Sequence, residues 1–123
     1  MLNFTALDKL VLSNYSSIEK ECIYQVVCAA MVVDGERDPQ EYELVKEIID
    51  IIGLTEKERE ESRQLDEPTL TQTILNMNDL QRAYVAKFIA HMIFADGKVT
   101  EHEQVFFDIL LDKFNLPKDP DNL

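Results

Sequence analysis

Apolar residues along this chain recur at steps of three and four in most windows, the period of helices that bury one face. Ile18, Cys22, Val26, Ala29 and Val33 trace one stripe, and Tyr42, Val45, Ile48, Ile49 and Ile52 trace a second. Leu70, Ile74 and Leu75 outline a short third stripe. Ala83, Tyr84, Phe88, Met92 and Ala95 mark a long fourth, and Phe106, Phe107, Ile109, Leu110 and Phe114 a fifth. Polar punctuation falls between them. Ser16 with Glu19, Asp38 with Glu41, Thr55 with Glu58, Asn78 with Gln81 and Thr100 with Glu103 have the spacing of capping boxes, in which paired side chains satisfy backbone donors that have no partner inside the helix. Pro39 and Pro68 stand where a first helical turn accepts the ring, and Gly53 stands where the second stripe ends. Helices are therefore expected over 16–33, 38–52, 66–76, 78–95 and 100–114. A short, highly charged one from Thr55 to about Gln64 should lie in solvent, and the first dozen residues allow another.

Only three glycines and four prolines remain to build the turns that strands need. The expected fold class is all-α, a compact bundle of six or seven helices forming a single domain over residues 1–123. An internal two-fold duplication is also legible. Displacing the sequence by 62 residues aligns Asp34 with Asp96, Gly35 with Gly97, Glu41 with Glu103, Asp50 with Asp112 and Leu54 with Leu116. Those are five identities in 21 positions, against about one or two expected by chance, and apolar pairs such as Val45/Phe107 and Ile48/Leu110 keep the same register. The repeat halves span about 16–54 and 78–116, joined by an acidic connector over 55–77. Two copies are too few for a solenoid, so mutual packing about a pseudo-twofold axis is the expected arrangement.

Charge changes the picture of partners. The 12 basic and 24 acidic residues leave a formal net charge of −12, and no basic patch is segregated, so a nucleic-acid backbone would be repelled. Thirteen of the acidic residues lie between 34 and 67, against five basic ones. The longest apolar run, Val26 to Val33, is far shorter than the roughly 18 residues of a membrane span, so no membrane insertion is expected. Cys22 and Cys28 are six apart, without metal-site or redox spacing, and read as buried thiols in a cytoplasmic protein.

The candidate chemistry lies at two Asp-Gly turns. Asp34, Glu36, Asp38 and Glu41 crowd the first, and Asp96, Thr100, Glu101 and Glu103 the second, with Asp and Glu seven apart in both. Carboxylates are hard donors suited to Ca²⁺, Mg²⁺ or Mn²⁺ rather than Zn²⁺. The spacing resembles the second half of an EF-hand loop, but Ala30, Val32, Met92 and Phe94 stand where acidic ligands of the first half belong, so neither turn is a complete calcium loop. Helix punctuation offers a competing explanation. Gly35 and Gly97 can close the preceding helices, and Asp38/Glu41 and Thr100/Glu103 can be plain caps. Capping leaves Asp34 and Asp96 unexplained.

The run Met92-Ile93-Phe94-Ala95-Asp96-Gly97-Lys98-Val99-Thr100-Glu101-His102-Glu103, with its echo from Met31 to Glu41, resembles the TerB-like family of tellurite-resistance domains over about residues 16–116. The resemblance implies an all-helical, duplicated bacterial module, also found in a DnaJ-type membrane co-chaperone, with acidic residues that bind a divalent metal cation. Carried over by motif, the candidate ligands are Asp34, Glu41, Asp96 and Glu103, with Asp38 as a neighbour. The first copy departs from the pattern at Arg37, where an apolar residue like Val99 is usual; a guanidinium there could pair with a carboxylate and weaken that half.

No Ser/His or Cys/His pairing and no Glu-x-x-His motif stands out, so an enzyme is not expected. His91 reads as a hydrogen-bonded, partly buried histidine and His102 as a solvated one. The alternative to metal binding is a metal-free protein–protein interaction module, whose acidic segment from Glu56 to Glu67 meets a basic partner of unknown identity.

Overall fold

The computed structural model describes residues 4–32, 39–94 and 100–117. Among them are seven helices and no strand: α1 (Ala6–Leu12), α2 (Ser17–Met31), α3 (Pro39–Ile52), α4 (Glu56–Ser62), α5 (Glu67–Leu75), α6 (Asp79–Ile93) and α7 (Glu101–Lys113). Each described start follows from local chemistry. Thr5, Ser16, Thr55, Asn78 and Thr100 close reciprocal capping boxes with the residue three positions on, and Asp66 caps α5 through the Thr69 amide ahead of Pro68. The ends are equally local. Gly53, at φ 74°, follows α3, and the amides of Gly53 and Leu54 both donate to the Ile49 carbonyl. Asn115, at φ 51°, follows α7, with the Leu116 amide donating to the Leu111 carbonyl. In each case a left-handed residue turns the chain so that the next leucine is buried.

Two fifteen-residue helices organise the bundle. α2 packs against α3, α4, α5 and α6, while α6 packs against α1, α2, α3 and α7. α6 buries Ala83, Tyr84, Val85, Ala86, Phe88, Ile89, Met92 and Ile93, too many for a single stripe, because neighbours surround it. Phe88 and Ile89 are wholly enclosed, as are Ile23 on α2, Leu12 at the end of α1 and Ile74 on α5.

The boundaries of α2 and α6 lie 62 positions apart at both ends, and so do their caps, Ser16 and Asn78. Two of the short helices reach the long ones through side-chain contacts. On α1, Asp8 accepts a hydrogen bond from the Tyr84 hydroxyl of α6, and on α5 the Thr73 hydroxyl meets the Cys22 thiol of α2. Cys22 and Tyr84 are themselves 62 apart.

Several expectations needed tertiary correction. Ile18, Tyr42 and Ile109 belong to their apolar stripes but are 42%, 43% and 56% exposed, because no element covers that edge of their helices. α4 does not lie free in solvent: it packs on α2 and buries Glu58 and Ser62. No helix among the described residues is long and apolar enough to cross a membrane.

Candidate functional site

Of the five candidate metal ligands, Asp34, Asp38 and Asp96 lie outside the described residues. Glu41 and Glu103 are described, each in the first turn of its helix. Glu103 is buried, and its carboxylate is tied to its own cap. Oε1 accepts from both the amide and the hydroxyl of Thr100, each at 3.1 Å, while the Glu103 amide donates to Thr100 Oγ1. Glu41 is half-buried and engaged by a partner. Among the described residues no group of three or more His, Cys, Asp or Glu has the arrangement to hold a metal ion.

The helix ends that lead to the Asp-Gly segments are well defined. α2 closes at Val32, whose amide donates to the Ala29 carbonyl, and α6 closes at Phe94, whose amide donates to Ala90. Asp34 and Asp96 each come two residues later. At the other end, the Tyr15 hydroxyl, one residue before the α2 cap, donates to the Gln81 carbonyl in the first turn of α6 at 2.8 Å. The two long helices therefore begin side by side.

Burial pushes the Cys22 thiol up to about 11 and raises Cys28 as well, the opposite of what a reactive thiolate requires. Burial also raises Tyr84 to about 12, helped by the negative charge of Asp8, its hydrogen-bond acceptor. His91 is half-buried with an interaction partner, and His102 is exposed.

A polar cluster that periodicity did not reveal joins α2 to α4. Lys20 Nζ lies 3.1 Å from Glu58 Oε2 and also donates to the Gly53 carbonyl at 3.2 Å. Arg59 Nε donates to the Tyr24 hydroxyl at 2.9 Å, and Gln25 Nε2 donates to Ser62 Oγ at 2.8 Å. Burial works against the charge of Glu58, yet hydrogen bonds from Ser17, the Thr55 backbone and Lys20 outweigh it and hold the carboxyl down at about 2. Glu21 sits in the same layer, 6% exposed, and its carboxyl is raised by burial and by the like charges of Glu61 and Glu58. The signal was present in the sequence as a second stripe on α2, Ser17, Lys20, Glu21, Tyr24, Gln25 and Cys28, at helical spacing but polar.

No recognised protein family matches the chain, and no curated protein matches it. A solved structure does: the crystal structure of PG1108, a protein of unknown function from Porphyromonas gingivalis W83, superposes with a TM-score of 0.72 at 18% sequence identity. The match covers 96% of this chain and 86% of that one. At that identity the likeness shows a shared all-helical fold.

Proposed function

We infer that the chain is a non-enzymatic, TerB-like helical module that holds a divalent cation, Ca²⁺, Mg²⁺ or Mn²⁺ ahead of Zn²⁺, at the acidic corners following α2 and α6, in a bacterial stress or tellurite-resistance setting. The observation that carries this reading is the Tyr15–Gln81 hydrogen bond. The two mutually packed helices are of equal length and begin together, so they run toward the same end of the bundle. The matching boundaries and caps of α2 and α6 support an internal duplication with halves about 16–54 and 78–116. Carbonyls closing a helix favour a cation beyond its C-terminus, where Asp34 and Asp96 stand. Because Glu103 is engaged by Thr100, the two aspartates are the principal ligands, and Glu41, Glu103 and Asp38 are supporting ones.

The test is calorimetric titration of chelator-treated protein with each of the four ions. Saturation at 100 times the dissociation constant adds roughly 2.7 kcal/mol of stability, seen as a melting shift. The double variant Asp34→Ala, Asp96→Ala abolishes that shift; its survival would rule out these ligands.

A metal-free interaction module is the second reading, favoured by the solvent-facing Glu56, Glu60 and Glu61 of α4. It requires no ion-specific shift, and it requires that charge reversal at Glu60 and Glu61 weaken binding to a basic protein partner. Unchanged binding removes it.

A further inference from the structure

We propose that α4 is a releasable strap whose docking on α2 is coupled to proton uptake by Glu21. The segment Glu56–Ser62 contains no apolar residue, and the residues it buries are Glu58 and Ser62. Its side-chain contacts to α2 are the Lys20–Glu58 pair, the Ser17–Glu58 hydrogen bond, the Arg59–Tyr24 bond and the Gln25–Ser62 bond. Apolar anchors lie outside the strap on both sides. Leu54 is buried just before it, after the left-handed turn at Gly53, and Leu65 is half-buried just after it. The ends are therefore pinned by apolar burial, and the middle by hydrogen bonds and an ion pair, which water can replace at modest net cost, together with the Arg59 guanidinium 5.4 Å from the Tyr24 ring centroid.

Glu21 is the misfit in that layer. The charges acting on it are Glu58 and Glu61, both from α4 and both negative; none from α3, α5 or α6 does so among the described residues. The nearby cations are engaged elsewhere, Lys20 by Glu58 and the Gly53 carbonyl, Arg59 by Tyr24. A buried carboxylate on which two like charges act, and no cation among the described residues, favours its protonated form. Docking thus raises the Glu21 pKa, and the sign of the linkage follows: the docked state binds the proton more tightly, so docking is strongest below the usual carboxylate range and weakens as pH rises through the raised value. Glu58 imposes the opposite limit, since its ion pair fails only when pH falls toward about 2. The strap is tightest in mild acid, and release at higher pH uncovers Tyr24, Gln25 and Cys28 on α2.

Amide hydrogen exchange of the intact protein at about pH 4.5 and about pH 7.5, corrected for intrinsic rates, reads the opening of α4 directly. The expected result is a several-fold loss of protection confined to residues 56–62 at the higher pH, with α6 unchanged. Glu21→Gln, which keeps shape and removes the charge, abolishes that dependence. Uniform protection at both pH values, or a pH dependence that survives Glu21→Gln, overturns the proposal. A carboxyl-resolved NMR titration of the wild-type chain adds a readout independent of any variant: Glu21 titrates above 4.5, the ordinary glutamate value, and a midpoint at or below it overturns the proposal.

Discussion

α2 meets α6 and α4 by opposite chemistry. On its apolar side it buries Ile23, Val26, Val27 and Ala30 and packs on α6, itself enclosed on nearly all sides, so separating that pair exposes apolar surface and costs about 25 cal/mol for each Å². Toward α4 it presents Lys20, Glu21, Tyr24 and Gln25, whose groups exchange protein hydrogen bonds for water at small net cost. One helix thus carries an interface that fixes the fold and another that fixes only the position of a short neighbour. Close packing and separability are different properties, and the chemistry of the contact decides which is present.

The strongest way to break the contrast is to damage the apolar side. Phe88→Ala removes a fully buried ring and should cost about 3–5 kcal/mol, read as a lower denaturant midpoint with every helix losing protection together. Thr55→Ala, which removes the α4 cap, should cost about 1 kcal/mol, with the exchange increase confined to α4 and little change in the global midpoint. A global loss comparable to that of Phe88→Ala would show that α4 belongs to the core.

Acid sharpens the same contrast. The Glu58 carboxyl is depressed in the folded chain, so its contribution is complete above 4.5 and is lost as pH falls toward about 2. Chemical denaturation across that window should show the loss in the wild type and a smaller one in Lys20→Met, which has no ion pair to forfeit. The smallest effects belong to the helix ends. Gly53→Ala forces a Cβ into φ 74° and should cost about 1 kcal/mol, whereas Asn115→Gly should change stability by less than that, because Asn already tolerates the left-handed region. Equal and opposite shifts at the two positions would contradict this account of the turns.

Helix number, the caps at Ser16, Thr55, Asn78 and Thr100 and the stop at Gly53 were legible because each is decided within a few residues: a capping box needs only its own side chain and the amide three positions on. The core was legible in its main stripes, as with Phe88, Met92, Ile48 and Phe107, but not at Ile18 or Ile109, because periodicity marks a face without saying whether a neighbour covers it. Tyr15 and Leu12 show the reverse, buried at helix junctions where no stripe points to them. Of the candidate site, the capping role of Glu103 was readable as one of two alternatives, and the Thr100 contacts account for one of its oxygens. The polar stripe that carries Glu21 was visible as a row at helical spacing, but not its burial, since a row of Lys, Glu, Tyr and Gln on a helix looks the same facing water as facing another helix.

The sequence by itself determined where helices begin and end and which residues are apolar enough to seek burial, because backbone capping and side-chain polarity act over a single turn. Tertiary structure alone decided that α1 reaches α6 and α5 reaches α2, that the two long helices begin side by side, and that the most charged segment of the chain is pressed against α2. Those outcomes depend on which surfaces are left uncovered once the long helices have packed, a competition among distant parts of the chain that no local pattern records.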